Sequence, residues 1–178
     1  MRKFFSGFVV LVALLVLNSN AFALKVAVVD LNKALQDCQA GIDAKSMLQK
    51  IIQAKKMVID SKQQELNTLS QKIQNPSTPK KDKQQLEIEY QTKLRDLERY
   101  KADATDDVVS KEREYTQNII NGLVETIKNI SQKQGIDLVF EVHQGLVYWN
   151  DALDITPEVI KEYNKIYEQS KKWLKHKN

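Results

Sequence analysis

Two long amphipathic segments, separated by one sharp break, constrain this sequence more than any other feature. The first, residues 44–74, contains neither glycine nor proline, and its apolar residues recur at spacings of three and four, which predicts a long helix. The second, residues 80–134, repeats this periodicity. Between them, Asn75-Pro76-Ser77-Thr78-Pro79 forms a turn sequence in which Thr78 is the predicted N-cap and Pro79 the first helical residue. We therefore predict an antiparallel helical hairpin.

This hairpin is too long to lie within a globule. At 1.5 Å per residue the second helix reaches roughly 80 Å, whereas a compact chain of this size has a radius of gyration of about 15 Å. Between Glu98 and Glu114 the only large apolar residues are Tyr100, Val108 and Val109, so a continuous dry seam is not available there. We expect a projecting, solvated arm with some flexibility.

Short elements precede the hairpin. Lys25 to Asp30 is a β-branched run with apolar residues on both alternating faces, which predicts a strand buried on both sides at the centre of a sheet. Asp30 is the predicted cap of a brief helix over residues 31–39. We expect Gly41 to interrupt that helix and Asp43 to cap the next one.

After Gly135, the predicted C-cap of the long helix, the apolar period changes to two. Residues 137–149, with a turn at Gln144-Gly145, predict a β-hairpin. Thr156 as N-cap and Pro157 at the first helical position begin a C-terminal helix with one apolar stripe. Three short strands cannot bury both faces of a sheet alone, which favours association between copies of the chain.

The N-terminus has the order of a secretory signal. Arg2 and Lys3 precede an apolar run from Phe4 to Leu17, and Ala21-Phe22-Ala23 supplies small residues for cleavage after Ala23. A membrane anchor is the alternative, but about 14 apolar residues fall short of the roughly 20 that a spanning helix needs. Residue 24 is leucine rather than cysteine, so no lipid anchor is indicated.

Little in the sequence indicates catalysis. Its five glycines fit neither phosphate-binding spacing, and removing residues 1–23 lowers the formal charge from +4 to +2, which disfavours nucleic-acid binding. His143, His176 and Cys38 match no recognised ligand spacing. We therefore predict a non-enzyme without catalytic residues, cofactor or metal. For Cys38, core filling is favoured over a reactive thiol or an intermolecular disulfide.

Charge is informative by region. Residues 43–83 hold nine basic against four acidic residues, whereas residues 135–156 hold four acidic and no basic ones. Four lysines cluster around the turn at 75–79: Lys72, Lys80, Lys81 and Lys83. They are candidates for contact with an anionic membrane surface or an acidic client. The alternative is that they are ordinary solubilising lysines.

The order of elements, with two specific stretches, resembles the Skp (OmpH-like) family of periplasmic chaperones in Gram-negative bacteria. Val26-Ala27-Val28-Val29-Asp30 resembles the first strand of that family. Asp137-Leu138-Val139-Phe140 and the stretch from Val147 to Ile160, which contains a D-[IL]-T-x-x-V-[IL] pattern, resemble its closing part. The resemblance covers essentially the whole chain after residue 23.

The resemblance implies an α+β, mainly helical fold and a homotrimer. The chain would then consist of a signal peptide at 1–23, a first part of the body at 24–42, a helical arm at 43–134 and a second part of the body at 135–178. The positions that match the trimer body are Val26, Val28, Leu138, Phe140, Val147 and Tyr148. Arm tips would match the four lysines named above. The C-terminal helix, which continues through Trp173 to Asn178, extends beyond the usual family pattern.

The function implied is that of an ATP-independent periplasmic holdase. Three arms would enclose unfolded outer-membrane β-barrel proteins and prevent their aggregation until the membrane or the folding machinery takes them over. Lipopolysaccharide is a further candidate ligand of the basic tips, and nucleic acid is not an expected partner. The alternative function is a structural coiled-coil adaptor of the cell envelope that binds one folded partner.

Overall fold

A computed structural model describes residues 24–177, except for the side chains of residues 174 and 175. The elements in chain order are β1 (Val26–Val29), α1 (Leu31–Asp37), α2 (Gln39–Gln74), α3 (Lys80–Gln134), β2 (Leu138–Glu141), a 3-10 turn (Asp151–Leu153) and α4 (Thr156–Lys177). The predicted signal peptide, residues 1–23, lies outside the described residues.

Helices α2 and α3 form the predicted antiparallel hairpin, called the arm below. The Nζ of Lys55 lies 2.8 Å from Asp107, and further along α2 Glu65 lies 2.8 Å from the Nζ of Lys93. The paired numbers rise along one helix and fall along the other, so the two helices run in opposite directions. With 36 and 55 residues, they are about 54 and 82 Å long.

The turn between the two helices differs from the prediction at Thr78. Helix α3 begins at Lys80 and Pro79 is its N-cap, without a side-chain capping bond. The hydroxyl of Thr78 instead donates a hydrogen bond of 2.8 Å to the carbonyl of Lys72. Thr78 therefore satisfies a carbonyl at the end of the first helix rather than an amide at the start of the second.

The break between α1 and α2 lies at Cys38 and not at Gly41. Cys38 has extended backbone angles, and its Sγ accepts a hydrogen bond from the amide of Gly41 at 3.4 Å. A Cβ on Gly41 would lie only 1.8 Å from the carbonyl oxygen of Leu35, so glycine allows this close approach. Asp43 is accordingly not an N-cap, because α2 already begins at Gln39.

The predicted β-hairpin at residues 137–149 is wrong. Strand β2 pairs in parallel with β1, from Val26 with Leu138 to Val29 with Glu141, and residues 146–150 form no strand. Beyond the 3-10 turn, the amide of Ile155 donates to the carbonyl of Val28. Strand β1 is thus flanked on both sides, as predicted, but by segments distant in the sequence.

The core lies where α4 crosses the base of the arm. Its buried members come from β1, α1, the break at Cys38, α4 and the base of the arm: Val29, Ala34, Cys38, Ala40, Ile119, Leu123, Ile130, Val159 and Tyr163. Thr156 is the first residue of α4 rather than its predicted cap. It is fully buried, and its hydroxyl accepts a 2.9 Å hydrogen bond from the amide of Asp30. This bond ties the start of α4 to the end of β1.

Candidate functional site: an uncovered sheet face and an open arm

One face of the small sheet is only partly covered in the single chain, because its β2 residues are exposed while Val28 of β1 is buried. The register places Val26 beside Leu138 and Val28 beside Phe140, and these four residues share a face because strand side chains alternate. Leu138 and Phe140 are 45% and 47% exposed. The opposite face carries Val29 and Val139, which pack against the helical core.

The segment after β2 adds to this uncovered apolar surface. Gly145 has a φ of +87°, a left-handed conformation that favours glycine. It is followed by Val147 and Tyr148, which are 98% and 84% exposed. Exposed large apolar residues are candidates for an interaction surface. We call Leu138, Phe140, Val147 and Tyr148 the body patch.

The structure therefore brings together four of the six residues expected in the trimer body. Val26, Val28, Leu138 and Phe140 share one sheet face, whereas Val147 and Tyr148 lie in the following segment outside the ladder. Val28 is itself buried in the single chain. It supports the patch from within rather than forming its surface.

The middle of the arm contains a hollow of about 490 Å³. Ala104 occupies a seam position there, and the neighbouring seam contact is the ion pair between Lys55 and Asp107 rather than an apolar layer. Ile52, Ile59 and Val108 line the hollow. The gap in the apolar seam, predicted from the sequence between residues 98 and 114, is present.

A second hollow, of about 670 Å³, continues towards the body and shares Ile52 and Val108 with the first. Leu35, Leu48 and Tyr115 contribute further apolar surface. The two hollows form one groove along a side of the arm, called the arm groove below. Four lysines line this groove: Lys45, Lys55, Lys56 and Lys101. Asp37 and Glu112 also line it, and Lys55 is paired with Asp107. The groove thus offers an apolar floor with a charged border in which lysines outnumber acidic residues.

The four predicted tip lysines lie at the ends of the two helices that flank the turn. Lys72 is in the last turn of α2, where a positive charge is favourable beside the helix dipole. Lys80, Lys81 and Lys83 are in the first turn of α3, where a positive charge is unfavourable beside the helix dipole. Asp82 is the acidic residue of that turn. Helix stability therefore does not account for these three lysines.

A polar cluster that the sequence analysis missed lies at the end of the sheet. Donor atoms of Asp30, Glu141 and His143 lie within 4.8 Å of one another, and the His143 Nε2 is 3.3 Å from Asp30. Asp30 also accepts from the amide of Lys33, and Glu141 accepts from the backbone amide of His143. These bonds give the two carboxylates a role in capping α1 and closing the turn after β2. Only strand pairing brings the three residues together, so their spacing gave no signal.

Cys38 is buried in the core, as predicted. Burial raises the pKa of its thiol, while hydrogen bonds from backbone amides partly oppose this. A protonated, buried thiol is a poor nucleophile. The position therefore serves packing and the start of α2, not thiol chemistry.

The family model described as "Outer membrane protein (OmpH-like)" matches residues 25–163. This chain belongs to the OmpH-like family. The match includes β1, the arm, β2 and the first part of α4. Within residues 24–177, no helix is both long enough and apolar enough to cross a membrane.

Two individual proteins are similar to this chain, one in sequence and one in fold. An uncharacterized protein of Aquifex aeolicus (strain VF5) is 24% identical over 165 residues, which cover 93% of this chain and 98% of that protein. The crystal structure of a candidate outer membrane chaperone (OmpH-like) from Caulobacter crescentus CB15 superposes with a TM-score of 0.74 at 18% identity. The alignment covers 80% of this chain and 86% of the other, and it shows a shared fold.

Proposed function

We propose that this OmpH-like chain is an ATP-independent periplasmic holdase chaperone. It binds unfolded outer-membrane β-barrel proteins between helical arms and prevents their aggregation before membrane insertion. The observation that carries the proposal is the arm groove, an open apolar channel with lysines beside it on an arm of about 80 Å. The chaperone description of the Caulobacter crescentus relative is consistent with it.

Three copies assemble through their body patches. The two-stranded sheet is too small to be stable alone, and its uncovered face carries Leu138 and Phe140 at nearly half exposure. Burying this face against other copies removes apolar surface from water and gives the sheet further strands. The arms then project from one common base and enclose a space.

The arm groove suits an unfolded membrane strand better than a folded partner. Strands of membrane β-barrels alternate apolar and polar residues, so an extended segment offers apolar side chains on one side only. A groove with apolar floor and charged border holds many such segments weakly. Release requires no nucleotide, because a holdase acts by mass action and loses its client to a better binder.

The tip lysines extend this positive surface to the end of the arm. Lys80, Lys81 and Lys83 lie at a helix N-terminus, where the helix dipole disfavours positive charge. We attribute their presence there to contact with acidic client segments or with an anionic surface such as lipopolysaccharide. The signal sequence predicted at residues 1–23 is consistent with export to the periplasm.

The assembly is tested by light scattering on residues 24–178. We expect monodisperse trimers for the parent chain and a shift to monomers for L138E/F140E, because buried glutamates lack partners. The control is I88E, which changes an exposed apolar residue of the arm outside the body patch and should remain trimeric. A monomeric parent chain would overturn the trimer.

Client holding is tested by turbidity of an unfolded porin diluted from urea. A few-fold molar excess of the chain should delay aggregation equally with and without ATP. L138E/F140E should lose this protection. Absence of any delay contradicts the holdase, and recovery of one folded stoichiometric partner from envelope extracts would favour the adaptor alternative.

A further inference from the structure

The last two-thirds of α4 lie outside the part of the chain that matches the OmpH-like family. The family match ends at residue 163, and α4 continues to Lys177. Residues 164–178 contain five lysines and a single acidic residue, Glu168. This segment therefore has four more basic than acidic residues, and the family assignment gives it no role.

The apolar stripe of α4 continues beyond the core that it helps to form. Val159 and Tyr163 are buried against the base of the arm. Ile166 and Trp173 follow on the same side, since seven residues are almost two helical turns, but they are 43% and 61% exposed. The apolar stripe of α4 thus extends beyond the part of the single chain that covers it.

Contacts with the arm fix how this stripe is presented. The Tyr167 hydroxyl and the Lys171 Nζ bind the Asp43 carboxylate at 3.1 and 2.8 Å. Both residues are on the side of α4 that faces α2. Ile166 and Trp173 lie about a quarter-turn or more away from them along the helix surface and remain uncovered.

Positive charge flanks the exposed stripe. Lys165 and Lys172 are exposed and immediately precede Ile166 and Trp173. The Nζ of Lys177 lies 4.8 Å from the centroid of the Trp173 ring, within the range of a cation–π contact. We call Ile166, Trp173, Lys165, Lys172 and Lys177 the terminal face.

We propose that the terminal face binds the surface of an anionic phospholipid membrane. An amphipathic helix with exposed tryptophan on its apolar side and lysines around it lies in the interface between headgroups and acyl chains. Its charge complements anionic headgroups, and tryptophan favours this interface. Attachment is peripheral, and it is independent of chaperone activity.

The first test uses residues 24–178 with W149F, so that Trp173 is the only tryptophan. Vesicles of phosphatidylcholine with about 30% phosphatidylglycerol should shift its fluorescence to the blue, and about 0.5 M salt should reverse the shift by screening. Equal binding to pure phosphatidylcholine overturns the proposal. Flotation of the unmodified chain with the same vesicles gives a readout that does not depend on W149F.

Variants locate the binding surface. K165Q/K172Q/K177Q should weaken vesicle flotation roughly a hundredfold, because each lysine near an anionic surface contributes about fivefold, and W173A should remove most of it. The matched control K50Q/K128Q/K133Q removes the same charge at exposed lysines outside the terminal face, the arm groove and the arm tip, and it should retain binding. Loss of binding in that control instead, or protection of Trp173 by an unfolded porin but not by vesicles, overturns the proposal.

Discussion

Gly122 leaves no space for a side chain at the point where α3 meets α4. A Cβ there would lie 2.6 Å from Cε2 of the Tyr163 ring and 2.9 Å from its hydroxyl. Tyr163 belongs to the core and is buried. The glycine, which costs helix propensity within α3, is explained by this close approach of the ring.

We expect G122A to lower the free energy of unfolding by about 1–3 kcal/mol, since the core must shift to accept the methyl group. Urea unfolding followed by circular dichroism measures the change. G122A/Y163L removes the clashing ring atoms, so the double variant should lose less stability than the sum of the single variants. Simple additivity would show that the ring is not the obstacle.

Asp43 joins the first turns of α2 to the last turns of α4. Lys171, Gln39 and Tyr167 all donate hydrogen bonds to its carboxylate. The bond from Lys171 contributes most to holding the pKa of Asp43 below its usual range, followed by that from Gln39, with burial acting in the opposite direction. The charged form is therefore favoured in the folded chain.

Because the pKa of Asp43 is lower in the folded chain than in the unfolded chain, its carboxylate stabilises the fold at pH values above the unfolded pKa of about 4. This contribution is lost as the pH falls through the folded pKa. We expect D43N to be less stable than the parent at neutral pH and to show a shallower loss of stability below about pH 4. Thermal unfolding across pH measures this. D106N, at an exposed carboxylate of the arm, should leave the acid limb unchanged.

The arm is unevenly packed along its length. Leu66, Leu69 and Leu97 are buried in its distal half. Its middle has Ala104 and the Lys55–Asp107 ion pair beside a hollow of about 490 Å³. Exposed ion pairs contribute little to stability, so the middle is the part of the arm that opens most readily.

We expect A104L to fill the hollow and stiffen the arm. It should slow amide hydrogen exchange in the middle of α2 and α3 and raise the free energy of unfolding by about 1 kcal/mol. A102L, at an exposed alanine two residues earlier on another side of α3, is the matched control and should leave exchange there unchanged. If both variants behave alike, the hollow does not determine local opening.

Under the proposed function, the base of the molecule assembles the trimer and the arm holds the client. The body patch and the core lie at the base, while the arm groove and the tip lysines lie along a hairpin that continues far from it. Under the proposed function, the length of the arm, rather than any one residue, sets the space available to a client. Proteins of different size should respond differently when that length changes.

Deleting residues 58–71 and 89–102 tests this relation. Each deletion removes two heptads, so the seam keeps its phase while the arm shortens by about 21 Å. We expect trimers to persist, with protection of large porins lost before that of small ones. Equal protection of both would show that arm length does not limit the enclosed space.

Local patterns in the sequence were sufficient for the long helices, the turn at 75–79, β1, the C-cap at Gly135 and burial of Cys38. Each depends on periodicity or chemistry within a few neighbouring residues, and heptads repeated over many turns leave little ambiguity. The predicted basic tip and the gap in the seam followed from the same linear pattern. Their roles in binding stay predictions.

Only the tertiary structure decided the features that depend on residues distant in the chain. Strand β1 pairs in parallel with β2 and with Asp154. This long-range pairing is found instead of the predicted hairpin. The cluster of Asp30, Glu141 and His143 and the contact of Gly122 with Tyr163 arise in the same way. At the break after Cys38, the amide of Gln39 likewise donates to the distant Asn164. Periodicity reports which face of a segment is buried, whereas its partner is selected by the packing of the whole chain.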